Sequence, residues 1–379
     1  MEEYEKSRLE KMRFQRAEIY SLTEIRTPAP FWDATGGPFY KVPVDCWLVL
    51  YDDNQISGQG PCSKKMQEQL LPLLLNGETR TYREWYEKLY WSIRNCGFSG
   101  EAAVELGRLD YVLHDILAKR KSMPLHRFLG AKRDWALAYA SGCGTNLSIT
   151  QAVKEAEEYL AEGYQTLKIK VAGNFGADLA ADVKKIEEVR KAAGDKISLA
   201  VDVNQLWSRA EDALEFIKQI EEYRIQWLEE PVHSYNMREL KRLTGMTDIP
   251  IAMGESPRCY YPMEAYVDAG VRHLEPIPSN LSSVEDWMRS RKLAYENGIQ
   301  LSSGGYSHMT AAFIASGRED DMVEYLIPVM RPLVDIMEIY PREEEGKFIL
   351  PQIPGSPMVP DFKSLMKNGY IEKIEILRG

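Results

Sequence analysis

Two lysines and three carboxylates recur at regular intervals, and together they suit proton abstraction beside a hard cation. The lysines lie in Leu167-Lys168-Ile169-Lys170-Val171. The carboxylates close the runs Ala200-Val201-Asp202, Trp227-Leu228-Glu229 and Ala252-Met253-Gly254-Glu255. Lys170 to Asp202 is 32 residues, Asp202 to Glu229 is 27, and Glu229 to Glu255 is 26. Residues i and i+2 of a strand share a face, so Lys168 and Lys170 point the same way. Repulsion between two ammonium groups, together with desolvation, is expected to lower a lysine pKa and make a usable base. Lys170 lies nearer the strand end and is the expected base. Oxygen ligands from three successive strands suit Mg2+, which keeps positions open for water and substrate. Zinc is disfavoured because neither His nor Cys joins the set. Carboxylates at loop starts commonly cap helices, and paired lysines commonly sit on helix surfaces. Three carboxylates in register, each after an apolar strand, and lysines flanked by Leu, Ile and Val, fit a shared site better.

The interval of about thirty residues is that of one strand, one helix and two loops, which is the unit of a parallel α/β sheet. Strands are expected over 136–142, 167–171, 198–203, 226–228, 251–253, from 273, over 300–302 and over 322–326. Helices are expected over 149–162, 178–193, 209–222, 236–244, 262–269, 284–297 and 309–316. Eight strands alternating with seven helices predict a closed barrel, and no GxGxxG follows any strand to suggest a dinucleotide fold. Functional groups of such a barrel sit at the C-terminal strand ends, where Asp202, Glu229 and Glu255 stand.

The chain of 379 residues exceeds the roughly 250 of such a barrel. Before it, a strand is expected over 14–22, a loop over 26–38, a hairpin over 46–51 and 56–60, and helices over 64–97 and 101–120. The domains are read as a charged extension over 1–13, an α+β domain over 14–128, the barrel over 129–327 and a segment over 328–379 that crosses back to the first domain. Composition is 44% hydrophobic and 27% charged, and the net charge of −10 argues against a nucleic-acid partner. Five scattered cysteines without a CxxC pair suggest reduced thiols in a cytoplasm. The charged start is unlike a secretory signal, and the absence of any apolar run of about 18 residues predicts no transmembrane helix.

The set Lys-x-Lys, Asp-x-Asn, Glu-Glu-Pro and Gly-Glu (Lys168 and Lys170, Asp202 and Asn204, Glu229-Glu230-Pro231, Gly254-Glu255) resembles the enolase superfamily, and within it the mandelate racemase and muconate lactonizing enzyme group. The resemblance implies a modified TIM barrel, (β/α)7β, with an N-terminal α+β capping domain completed by the C-terminal tail. It implies that Asp202, Glu229 and Glu255 hold Mg2+, and that Asn204 supports them or touches a substrate carboxylate. Lys168 would contact that carboxylate and tune Lys170, which would take the proton α to it. Glu324 would hydrogen-bond the carboxylate or enolate oxygen, and Ser141 is an expected substrate contact. The 27–38 loop occupies the place of the family's specificity loop, where Trp32 and Phe31 would wall the substrate or pack between domains. A small carboxylate substrate is the expected partner, in a homo-oligomer with neither nucleic acid nor membrane.

The pattern breaks at strands six and seven. Racemase-like members carry a histidine after the seventh strand, held by an aspartate after the sixth; Gly304 and Ile277 stand there. A loop insertion that restores His308 as the second acid/base is the alternative. The lactonizing type's lysine after the sixth strand has no counterpart in Ser279-Asn280-Leu281-Ser282-Ser283. One base on one face favours β-elimination, with Lys170-H+, Tyr306 or His308 protonating the departing hydroxyl. Dehydration of a hydroxy acid, an acid sugar, is therefore expected; the alternatives are a racemase or epimerase using His308, a catalytically silent Mg2+ and carboxylate binder, and a plain structural barrel. His233, after Glu229-Glu230-Pro231, reads as a loop histidine.

Overall fold

The computed structural model describes residues 2–35 and 37–379. Met1, in the 1–13 segment, and Gly36, in the 26–38 loop, lie outside the described residues. Among those described, eight parallel strands form a barrel: Trp135–Gly142, Thr166–Lys170, Ser198–Asp202, Ile225–Glu229, Ile251–Met253, His273–Leu274, Gln300–Ser303 and Met322–Leu326. Each pairs with the next, and the eighth pairs back along the first from Met322↔Leu137 to Leu326↔Ser141. The fold is thus the α/β barrel that the strand count predicts. Burial on both faces explains the near-continuous apolar runs. Tyr139, Ala200, Trp227, Ala252 and Met322 form a small cluster of their own, with Tyr139 edge-on to Trp227 at 5.4 Å. This cluster is the floor on which the lysines stand.

The strands Ile371–Arg378, Phe14–Leu22, Cys46–Asp52 and Ser57–Cys62 form, in that order, a four-stranded antiparallel sheet. The last strand of the chain therefore lies beside the first long one, from Arg16↔Arg378 to Leu22↔Ile371. The helix Glu101–Arg120 joins this sheet to the barrel through buried carboxylates. Asp110 accepts the backbone N–H of Val284 at 2.8 Å. Asp115 accepts those of Gln59, in the sheet, and Ser356, in the tail, at 2.9 and 2.7 Å. These bonds satisfy backbone donors that burial would otherwise leave costly.

Four local expectations are corrected. The 26–38 stretch is not all loop: Arg26–Phe31 pairs with Phe39–Lys41. Helix 64–97 is broken into turns over Met66–Leu74, a two-residue strand Arg80–Thr81 and the helix Tyr82–Ile93. Gly77, at φ +81°, takes the chain through the turn, and Thr81 with Glu84 starts the new helix as a capping box. The 1–13 segment, expected as a charged extension, is a helix over Glu2–Ser7 followed by a strand, Lys11–Met12, that pairs with Arg80–Thr81. Tyr4 is only 2% exposed and meets His114 Nε2 at 3.1 Å. The tail also contains a hairpin, Arg342–Glu344 with Lys347–Ile349, that pairs onto the first barrel strand.

Gly107 shows how closely the two parts meet. A Cβ built there would lie 1.7 Å from the Leu281 carbonyl oxygen. Alanine is the better helix former by about 1 kcal/mol, yet Gly107→Ala must push helix and barrel apart. We expect it to destabilise the protein by about 1–3 kcal/mol, the usual cost of overpacking. An unchanged or higher denaturation midpoint would contradict that contact.

Candidate active site

Strand register brings the charged residues together. Asp202 stands opposite Lys170 on one side and opposite Glu229 on the other, while Lys168 stands opposite Ser141. The Lys170 ammonium is paired with Asp202. The Lys168 ammonium is paired with Glu229, lies 2.8 Å from Glu324 Oε1 and 3.9 Å from Asp202 Oδ2, and sits 5.5 Å from the centre of the Tyr139 ring. Lys168, Lys170, Asp202, Glu229 and Glu324 are all buried. Glu255, at the next strand end, is half-buried.

The electrostatics correct one expectation. Burial pulls both lysines down, but neighbouring carboxylates outweigh it, Glu229 and Glu324 at Lys168, Asp202 at Lys170. Both ammonium groups are held above the ordinary lysine value, and their mutual repulsion is the smaller effect. Burial raises Glu229, Glu255 and Glu275, helped by Asp202, Glu230 and Glu229 respectively. At Glu324 burial is overcome by Lys168 and Lys170, and its pKa falls to about 2.

Five carboxylates (Asp202, Glu229, Glu255, Glu275, Glu324) thus surround two ammonium groups, a formal balance of −5 + 2 = −3. An all-oxygen donor set with surplus negative charge fits a hard divalent cation. Among the described residues no three His, Cys, Asp or Glu side chains gather about one point closely enough to hold an ion. Asp202 and Glu229 are instead turned onto the lysines.

A supporting layer fixes these carboxylates. The Asn204 backbone N–H donates to Asp202 Oδ1 at 2.9 Å and its Nδ2 to Oδ2 at 3.3 Å. Its Oδ1 accepts the backbone N–H of Ala34, on the segment after Phe31, at 3.3 Å. Glu230 accepts from Ser234, Ser256 and Gln205 at 2.6, 2.7 and 3.0 Å. Sequence reasoning missed Lys185, which is buried and donates to the carbonyls of Cys143, Gly144 and Lys170 at 2.6, 2.9 and 3.1 Å. Glu275 was also missed: it accepts from Ser302 Oγ at 3.0 Å, and Ser302 meets His273 Nε2 at 2.8 Å. Leu274-Glu275-Pro276 ends a strand in a carboxylate just as Leu228-Glu229 does, and that likeness was the available signal.

The other expected residues, Ser141 apart, fall away from the lysines. Ser141 is buried beside Glu324. Tyr306 donates its hydroxyl to the Pro43 carbonyl at 2.7 Å, so it serves the contact between the two parts of the chain. His308 is 1% exposed and packed edge-on among Tyr325, Tyr340 and Phe348. Tyr325 alternates with Glu324 along its strand and so points away from the lumen, which puts His308 behind the strand. It thus lies apart from the lysines. At Gly304 a Cβ would lie 2.4 Å from Glu324 Oε2. Phe31 is buried, whereas Trp32 borders a cleft of about 440 Å3 with Thr145 and Lys185. His233 is exposed, and its Nδ1 accepts the N–H of Tyr235 at 3.2 Å.

Residues 151–364 match the family described as enolase C-terminal domain-like. The chain belongs to the enolase superfamily. Its relatives and structural neighbours are those of the mandelate racemase and muconate lactonizing enzyme group. It is 28% identical over 246 residues to L-talarate/galactarate dehydratase of Salmonella typhimurium, covering 63% of this chain and 61% of that one. It is 35% identical over 224 residues to L-Ala-D/L-Glu epimerase of Bacillus subtilis, covering 58% and 56%. Both alignments span less than two thirds of the relative. The fold is shared with the Mg- and L-lyxarohydroxamate-liganded Salmonella dehydratase, at TM-score 0.84 and 21% identity over 97% of this chain and 95% of that one. It is shared too with a racemase of Streptomyces coelicolor with bound magnesium, at TM-score 0.83 and 23% identity over 94% and 99%.

Burial lowers the His308 pKa to about 3, with Arg331 adding to it. The unfolded chain therefore binds a proton there below about pH 6.5 that the folded chain refuses, and stability falls as pH drops toward 3. Between pH 7 and pH 5 this histidine costs about 2 kcal/mol. His273, also lowered to about 3 by burial, adds an equal slope, so His308→Phe is expected to lessen the slope of denaturation curves across this range by about 2 kcal/mol while leaving turnover in place.

Proposed function

We propose that the chain is a Mg2+-dependent enzyme that removes the proton α to a carboxylate and dehydrates a hydroxy acid to a 2-keto acid. The reading is carried by Lys170, buried against Asp202 in a lumen whose carboxylates outnumber its cations. Asp202, Glu229 and Glu255 would hold the ion. Mg2+ bound there supplies a Lewis acid to the substrate carboxylate, whose α-proton is otherwise far too weakly acidic for a lysine.

Lys168 would orient the carboxylate, its ammonium held in place by the ionised Glu324 at 2.8 Å. Lys170, neutral at the moment of attack, takes the proton from Cα. The C–H electron pair forms the Cα–Cβ double bond, and the β-hydroxyl leaves as water with one proton. Tyr306 is committed to Pro43 and His308 lies behind the strand, so the Lys170 ammonium is the donor, and elimination is syn. The substrate carries a hydroxyl at Cα as well as at Cβ, so the product is a 2-enol that tautomerises to the 2-keto acid.

The talarate/galactarate dehydratase supports this reading, and the epimerase relative supports the shared first step. Epimerisation needs an acid on the opposite face, and neither His308 nor Gly304 offers one. The test is a screen of acid sugars for 2-keto product with and without Mg2+. Lys170→Met is expected to lower kcat by about 10²–10⁴-fold, the range for a general base. Turnover that survives this substitution, or needs no divalent ion, sinks the assignment. Exchange of the α-proton in D2O without loss of water would favour epimerisation, and Mg2+-dependent stabilisation by an acid sugar without any product would mark a protein that only binds.

A further inference from the structure

Cys46 and Cys62 stand directly opposite each other on the antiparallel strands Cys46–Asp52 and Ser57–Cys62. Opposed residues of such a pair point to the same face, with Cα atoms about 4.5–5.5 Å apart. That lies inside the roughly 4.4–6.8 Å that a disulfide spans. Both thiols are free. Among the described residues no other two cysteines stand opposed in a strand ladder: Cys96, Cys143 and Cys259 lie outside the strands, and Cys143 is buried with its thiol on the Ala152 carbonyl at 3.3 Å. Cys46 and Cys62 both border the largest cleft, about 790 Å3, between the antiparallel-sheet part and the barrel. Cys46 is half-buried and Cys62 buried, so a small solute in the cleft reaches Cys46 first.

The two sulfurs are unequal. The Cys62 thiol, with Ser21 Oγ at 3.8 Å, pulls the Cys46 thiol down to about 7 against burial and the charges of Asp45 and Glu105. The same contact, together with burial, holds Cys62 well above the ordinary thiol value. Cys46 is thus about half thiolate near pH 7 while Cys62 stays protonated, the division of labour between an attacking and a resolving cysteine. Their neighbours carry the contact with the barrel. Ser63, next to Cys62, gives its N–H to Glu105 at 2.8 Å, and Glu105 pairs with Arg108 at 2.8 Å. Pro43, three residues before Cys46, accepts the Tyr306 hydroxyl at 2.7 Å. A bond between the two sulfurs would staple the strand ends from which the sheet meets the barrel.

We infer that Cys46 and Cys62 are a redox-active pair that hydrogen peroxide converts to a reversible disulfide. The Cys46 thiolate attacks one peroxide oxygen: an S–O bond forms, the O–O bond breaks, and the hydroxide that leaves takes up the proton Cys46 had released. The sulfur is oxidised to a sulfenic acid and the peroxide is reduced. The Cys62 sulfur then attacks the Cys46 sulfur, the S–O bond breaks, and the departing hydroxide takes the Cys62 proton and leaves as water. Two thiols and one hydrogen peroxide thus give one disulfide and two waters. The full-length protein would be titrated with hydrogen peroxide and its cysteines mapped by mass spectrometry after alkylation. Two of the five thiols are expected to be lost, together with the mass of two hydrogen atoms, in a peptide pair that links Cys46 to Cys62. Dithiothreitol should return both. In Cys62→Ser the Cys46 sulfur should stop as a sulfenic acid that dimedone traps, and in Cys46→Ser the Cys62 thiol should remain free. A wild-type protein that keeps both thiols under peroxide, links either to another cysteine, or joins chain to chain overturns the inference. So does a Cys62→Ser protein that gains no dimedone while circular dichroism reports an intact fold. If either variant fails to fold, the wild-type map decides. The test needs no substrate, so its outcome is separate from that of the function proposed above.

Discussion

Everything in this protein depends on keeping two ammonium groups and five carboxylates inside a barrel lumen. Isolated, each such charge would be costly to bury. Held in register on adjacent strands, they neutralise one another in pairs, Lys170 with Asp202 and Lys168 with Glu229 and Glu324. The same pairing makes Lys170 a poor base while its partner is free to hold it. Repulsion between the lysines acts unopposed only once Asp202 and Glu229 are engaged elsewhere. Base strength at Lys170 is therefore a property of what those carboxylates hold, rather than of the lysine pair alone.

Positioning comes from outside the lumen. Lys185 ties the backbone ends of the first two strands, including the carbonyl of Lys170 itself, with three hydrogen bonds from one ammonium. Asn204 fixes Asp202 and meets the Arg26–Lys41 region through Ala34. The same region gives the Trp32 carbonyl to the Thr145 N–H at 2.8 Å. These contacts cover the open end of the barrel with the other part of the chain. Covering it lowers the local dielectric and strengthens each charge pair inside.

The barrel was legible because both faces of its strands are buried, which writes apolar runs at even spacing. The charged residues at the strand ends were legible for the same reason: nothing else ends an apolar run in a carboxylate three times in register. Their pairing was not legible, since repulsion within Lys-x-Lys is visible along the chain and attraction from strands 30 to 60 residues away is not. The strand Arg26–Phe31 was hidden by Pro28 and Pro30, which edge strands tolerate. His308 was misplaced for a geometric reason. The helix Ser307–Ala315 starts right after the turn at Gly304 and Gly305, and it carries His308 onto the outer side of the last strand. Glu275 escaped notice because the family pattern drew attention two residues on, to Ile277.

The missing second base is a different use of the same space. At Gly304 a Cβ would lie 2.4 Å from Glu324 Oε2, so a side chain there must shift that carboxylate. Glu324 is in turn held charged by both lysines, with a pKa of about 2. An imidazole at position 304 would have to displace that carboxylate and leave Lys168 with a partner fewer. Glycine at 304 and an ionised Glu324 therefore belong together. Lys170 alone would remove a proton and expel a group from the same side of a substrate. Neither His308 nor Gly304 supplies an acid on the opposite side, and on that ground elimination rather than inversion is proposed.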